Sequence, residues 1–175
     1  MISGPTSIAA VTLAATAKAL YTTAAFPVLG GQYFSRPGKA IRIRLFGRMT
    51  TVLTPGNGSF NVYYGSGADA TGVLLMTGTP VALTASKTAL SWNADIKVYC
   101  VTTGATGTLF CSGEAHFNAG LISTTLTPIM LPDNTPAVSP SCDLTAANII
   151  SVQYLRSGST AETMQVHDLE VTALN

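Results

Sequence analysis

Charge is what this chain has least of. Lys, Arg, Asp and Glu together make up 10% of its 175 residues, against about 25% in an average globular protein, and the formal net charge is only +1. No global field therefore draws it to nucleic acid or to an anionic membrane. No apolar run reaches the roughly 18–20 residues of a membrane-spanning helix. The N-terminus, interrupted by Pro5 and Lys18, lacks the basic region and continuous apolar stretch of an export signal. There are three cysteines, Cys100, Cys111 and Cys142, an odd number with no C-x-x-C pair. A disulfide framework and a zinc site are both disfavoured, and reduced core thiols are expected.

Chemistry is equally scarce. Two histidines, His116 and His167, are the whole imidazole complement, and no G-x-S-x-G elbow offers a serine nucleophile. No D-x-D-x-D-G loop is present for calcium, and Asp133, Asp143, Asp168 and Glu170 are scattered. The Gly31 to Lys39 stretch fails as a phosphate loop, because Tyr33 stands where the first glycine belongs and Ala40 where a Ser or Thr would hold magnesium. The reading is a protein that is not an enzyme and has no cofactor. Asn57-Gly58-Ser59 matches a glycosylation sequon, which carries little weight without an export signal.

What is present is hydrophobic content, 47%, with mean hydropathy +0.37, enough for one domain of this length to bury a core. So little charge over so much apolar content fits a surface of Thr, Ser, Asn and Gly, or one covered by other protein. The clearest pattern is a pair of alternating runs over 91–117. Trp92, Ala94, Ile96, Val98 and Cys100 share one face; Leu109, Cys111, Gly113, Ala115 and Phe117 share the returning one. A turn centred between Ala105 and Thr106 sets Lys97 opposite Glu114, Asp95 opposite His116 and Cys100 opposite Cys111, and so favours this register.

Other strands follow the same logic. Residues 40–52 place Ile41, Ile43 and Leu45 inward and Arg42 and Arg44 outward, with Gly47 marking a bulge or close approach. Thr54-Pro55-Gly56-Asn57-Gly58 predicts a turn that folds 59–65 back as a second hairpin. Short strands are expected at 73–77 and 81–85, and a loop at 65–72. Pro128, Pro132, Pro136 and Pro140 make 119–141 a long connection. Strands resume at 148–156 and, after a turn at 157–160, at 162–174, where a change of parity predicts a bulge near His167 and Asp168. Residues 1–31 read equally as an N-terminal arm lying on a neighbour or as edge strands on the chain's own body, leaving 32–175 as a single β-sandwich domain. About eight to ten strands in all give an all-β antiparallel sandwich.

The basic residues are uneven. Arg36, Lys39, Arg42, Arg44 and Arg48 are five of nine, and no acid precedes Asp69. Without interleaved exposed aromatics this stripe reads as a solvated or partner-facing sheet surface, not a nucleic-acid site. Tyr33, Phe34, Tyr63 and Tyr64 are candidates for a sugar-binding face, set against a split between core and surface.

The run Ser35-Arg36-Pro37-Gly38-Lys39-Ala40-Ile41-Arg42-Ile43-Arg44-Leu45-Phe46-Gly47, the Pro55-Gly56-Asn57-Gly58 turn and the Gly104-Ala105-Thr106-Gly107-Thr108 turn after the Trp92 strand resemble small virion proteins of tailed bacteriophages. That resemblance spans most of 36–117. It implies a jelly-roll-like sandwich acting as a capsid decoration, or cement, protein: a homotrimer on the outer capsid surface of the virion, made in the host cytoplasm, with the major capsid protein as partner. Arg36, Arg42, Arg44 and Arg48 are the candidate contacts to an acidic capsid surface. The alternative is a tail-associated or receptor- and carbohydrate-binding module of the virion.

Overall fold

The structure, a computed structural model, describes residues 2–4, 8–22, 24–26, 28–123, 128–133, 138–157 and 162–174, the first three as backbone only. Most of the expected turn at 157–160, and Pro136 of the proline-rich connection, lie outside the described residues.

Two antiparallel sheets face one another, and no helix occurs among the described residues. In chain order the strands are β1 (Ile2–Gly4), β2 (Val11–Thr12), β3 (Lys18–Ala19), β4 (Ala40–Thr50), β5 (Asn57–Gly65) and β6 (Val73–Thr77). They continue as β7 (Val81–Ala82), β8 (Leu90–Thr102), β9 (Thr108–Phe117), β10 (Ile129–Leu131), β11 (Ile149–Arg156) and β12 (Thr163–Leu174). The first sheet runs β1-β12-β4-β8-β9-β10, with β2 also on β12; the second runs β3-β11-β5-β6, with β7 on β5. Among the described residues these are twelve strands where about eight to ten were expected. Five of them are pieces of two or three residues, too short to carry an alternation.

The roll comes from β4 and β5 travelling beside β12 and β11. β4 pairs with β12 in one sheet while β5 pairs with β11 in the other, so the chain crosses between sheets twice at the same end. The expected 40–52/59–65 hairpin is therefore corrected: β4 and β5 lie in different sheets, and Asn57-Gly58 belongs to a strand, not a turn. Gly58 serves packing instead, since a Cβ there would lie 2.2 Å from the Tyr154 hydroxyl.

The layer between the sheets is built from the inward parity of each strand. Phe60 touches Trp92, Phe117 and Tyr154 at ring-centroid distances of 5.5, 5.8 and 5.0 Å. Gly47 leaves room for this cluster, because a Cβ would stand 2.8 Å from the Trp92 ring and 2.0 Å from the Gln165 carbonyl. The parity change in β12 is a bulge between Val166 and Asp168, as its sequence predicts.

The second sheet is buried on both faces. Ser59, Asn61, Ser151 and Gln153 point away from the interior yet are buried. The 66–71 loop lies against this face: the Gln153 amide donates to the Ala68 carbonyl at 3.0 Å and its oxygen accepts from the Ala70 N–H at 2.7 Å. Asp69 anchors the same loop to β3 through the Ala19 N–H and Lys18 Nζ, both at 2.8 Å. The described N-terminal residues pack on this body, with Ile8, Leu13, Leu20, Tyr21 and Phe26 buried in its core. The Tyr21 hydroxyl donates to Ile150 O and accepts from Val152 N on β11.

At the crossing end sits the one fully buried ion pair among the described residues. Arg156 Nε lies 2.6 Å from Glu162 Oε2, with side chains 2% and 0% exposed. Burial, followed by the Glu162 charge, pushes the Tyr154 phenol far above its ordinary value. The N-terminal segment is bonded to the backbone of both residues: Leu13 N donates to Glu162 O at 2.8 Å and Arg156 N to Ala14 O at 3.2 Å. Removing one partner of such a pair strands the other charge in the interior. Glu162→Gln or Arg156→Met is expected to lower unfolding free energy in urea by about 3–5 kcal/mol, and Arg156→Met with Glu162→Leu by clearly less than the sum. Single substitutions costing under about 1 kcal/mol would contradict this assignment.

Candidate functional site

The outer face of the first sheet carries nearly all the polar chemistry the sequence analysis singled out. Because the sheet is in register over four long strands, its outward side chains form rows. One row is Thr172, Arg42, Lys97 and Ser112; the next is Glu170, Arg44, Asp95 and Glu114; the third is Asp168, Phe46, Asn93 and His116. Neighbouring strands stand about 4.8 Å apart, so side chains within a row are in reach of one another.

The expected β8/β9 register is corrected by two residues. Asp95 opposes Glu114, Lys97 opposes Ser112, His116 opposes Asn93, and Cys100 opposes Leu109 instead of Cys111. The facing parity survives because a shift of two preserves it. Two features of the connection cause the shift. Its loop is five residues long, with Gly104 at φ 95° and Gly107 N donating to Gly104 O at 3.1 Å, and Val101 is an extra residue in β8 beside the Thr102–Thr108 hydroxyl pair. The expected pairing of Lys97 with Glu114 is absent, and His116 instead lies 3.4 Å from Glu114, two residues away on its own strand.

Asp95, opposite Glu114, takes its countercharge from β4. Arg42 Nε donates to Asp95 Oδ1 at 2.8 Å, and its Nη2 makes a second, shorter bond to Oδ2. Arg44 stands 3.6 Å from Asp95 and 3.5 Å from Glu170, which also accepts from the Thr172 hydroxyl at 3.0 Å. The Arg42 hydrogen bond, outweighing some desolvation, holds the Asp95 carboxyl below its usual range, and the same contact raises Arg42. Two of the four candidate contact arginines are thus engaged within their own sheet. Arg48 is exposed farther along β4, and Arg36 is exposed in the turn before it. In that turn Lys39 N donates to Arg36 O, Gly38 adopts φ 82° and bonds Cys100 O, and Lys39 Nζ lies 4.4 Å above the Tyr33 ring.

The other candidates do not come together. Phe34 and Tyr64 are buried while Tyr33 and Tyr63 are half-buried on different elements, so they form no sugar-binding face. His167 occupies the β12 bulge with its Nε2 buried and unpartnered. Among the described residues no Ser hydroxyl bonds either histidine, and no three His, Cys, Asp or Glu side chains gather closely enough to hold a metal. The three cysteines are free and buried; burial raises all three thiols, with a Ser139 hydrogen bond opposing the rise at Cys142.

One residue on this face was missed. Phe46 is 46% exposed, and its even-numbered position among Arg42, Arg44 and Arg48 carried the signal. Comparison with protein-family models, curated proteins and solved structures yields no match to this chain.

Asp95 also sets an acid limit. Its native pKa lies below the unfolded value of about 3.9, so its contribution to stability is complete above about pH 5 and is lost as pH falls through the depressed native value. Asp95→Asn is expected to melt below wild type at neutral pH, with the gap closing below about pH 4. A gap that stays constant through acid would remove Asp95 from this role.

Proposed function

We propose that this chain is a non-enzymatic contact protein of a tailed-phage virion. It sits on the outer capsid surface as a homotrimer, decorates the head and stabilises the lattice of the major capsid protein. The observation that carries the reading is the character of the surface. Large apolar side chains stand in solvent on a shell with little charge: Leu53 is 78% exposed, Met130 63% and Val28 62%. Such side chains gain most when a neighbour covers them, at about 25 cal/mol per Å² of apolar area. The tailed-phage assignment itself rests on the strand and turn motifs of 36–117.

The paired geometry of Arg42 and Arg44 narrows the contact residues. Reversing either would break its own sheet's network with Asp95 and Glu170, so loss of capsid binding would not report a lost contact. Arg36 and Arg48 have no carboxylate on them among the described residues and are the usable probes. The purified chain is expected to sediment at three times its 18.0 kDa mass and to raise the melting temperature of undecorated heads. Arg36→Glu with Arg48→Glu should lower occupancy on those heads without shifting the chain's own melting temperature. A monomer that leaves heads unchanged would overturn the proposal. Unchanged occupancy of the double variant would overturn the arginine assignment alone.

A further inference from the structure

The third row of the outer face carries a second kind of site, one that does not depend on where in a virion the chain sits. Asp168, Phe46, Asn93 and His116 lie side by side across β12, β4, β8 and β9. Three strand spacings make this row about 14 Å long. It forms part of the floor of a depression of about 570 Å³, within the span of roughly 300–1,000 Å³ typical of small-ligand sites.

The row is assembled by the bulge. Met164 and Val166 face the core, so an unbroken alternation would turn Asp168 inward; the extra residue at His167 re-aims it onto the outer face opposite Phe46. Phe46 then presents an apolar ring flanked by a carboxylate, a carboxamide and an imidazole, groups that accept and donate in the planes hydroxyls require. Arg44 is held between Asp95 and Glu170, which fixes its donors at the edge of the same depression. Among the described residues no cation lies on Asp168, and Glu114 has only His116. Of the four acids that line the depression, Asp95 and Glu170 are matched by Arg42 and Arg44, which leaves Asp168 and Glu114 to favour a positive group over an anion.

We propose that this depression binds an oligosaccharide free of acidic groups, with an amino sugar preferred. One pyranose lays its apolar C–H face on Phe46, Asp168 and Asn93 on either side hold its hydroxyls, His116 meets the next sugar along the row, and a protonated amine is taken by Asp168. A flat apolar ring beside fixed polar groups suits a sugar, which has one apolar face and an equatorial belt of hydroxyls. A basic protein segment would use the carboxylates but would have less need of the ring-and-amide row.

The test is calorimetric titration of the full chain with a tetralysine peptide and with four sugar probes of equal length: a chitosan tetramer, its fully N-acetylated form, cellotetraose and a galacturonate tetramer. Binding is expected in the order amine-bearing, then neutral, with none for the acidic one. Phe46→Ala, at an exposed position, should weaken both the amine-bearing and neutral probes by about tenfold. Asp168→Asn should erase the preference for the amine while neutral probes still bind, and near-wild-type melting curves verify folding of each variant. Failure of all four probes to bind, or binding indifferent to Phe46→Ala, overturns the proposal. So does a tetralysine peptide that binds more tightly than the chitosan tetramer and ignores Phe46→Ala, which would assign the face to a basic protein partner.

Discussion

The Arg156–Glu162 pair is the constraint on which the rest of the sandwich turns. Two chains of connectivity pass between sheets at one end, from β4 to β5 and from β11 to β12, and the pair lies beside both. A buried guanidinium and carboxylate tolerate one relative position, so they fix how β11 hands over to β12. That handover in turn sets β12 against β4 and β11 against β5. The N-terminal segment hydrogen-bonds to the backbone of both residues, so the first part of the chain is tied to the last.

From that end the interior is filled mainly by apolar contact. The Phe60, Trp92, Phe117 and Tyr154 cluster spans the two sheets, with Gly47 and Gly58 each yielding the space that one ring or phenol occupies. The two sheets then differ on their outer sides. The second is covered by its own 66–71 loop, pinned by Gln153 and Asp69, and so has little bare surface to offer. The first keeps its outer face open, with the countercharge of Asp95, which lies opposite Glu114, supplied from β4.

Most strands were legible in the residues because one face of each is buried and the alternation is strong, as in Ile41, Ile43 and Leu45 or in Trp92 to Cys100. The β12 bulge was legible for the same reason, since parity cannot change without one. What alternation cannot fix is which strand a given strand meets. Thr54 to Gly58 reads as a hairpin turn, yet the chain leaves the sheet there, because a turn signal specifies a change of direction and not the destination. The β8/β9 register slipped by two residues through the loop length and Val101, which charge pairing alone could not reveal. Arg156 and Glu162 gave no sign of burial, because a charge at a strand end reads as solvated until its partner is placed. On the candidate face Arg42 and Arg44 were correctly placed outward, but Asp95 as their partner required the β4/β8 register, and Phe46 was overlooked between them.

The proposed role, covering and joining a capsid surface, is tested most directly by imaging the chain there. Undecorated heads incubated with the purified chain would be examined by electron cryomicroscopy. The account predicts three-fold density on the outer shell into which the sandwich fits, with Arg36 and Arg48 turned toward the major capsid protein. Heads that stay bare, or density found only on tails when whole virions are imaged, would contradict it.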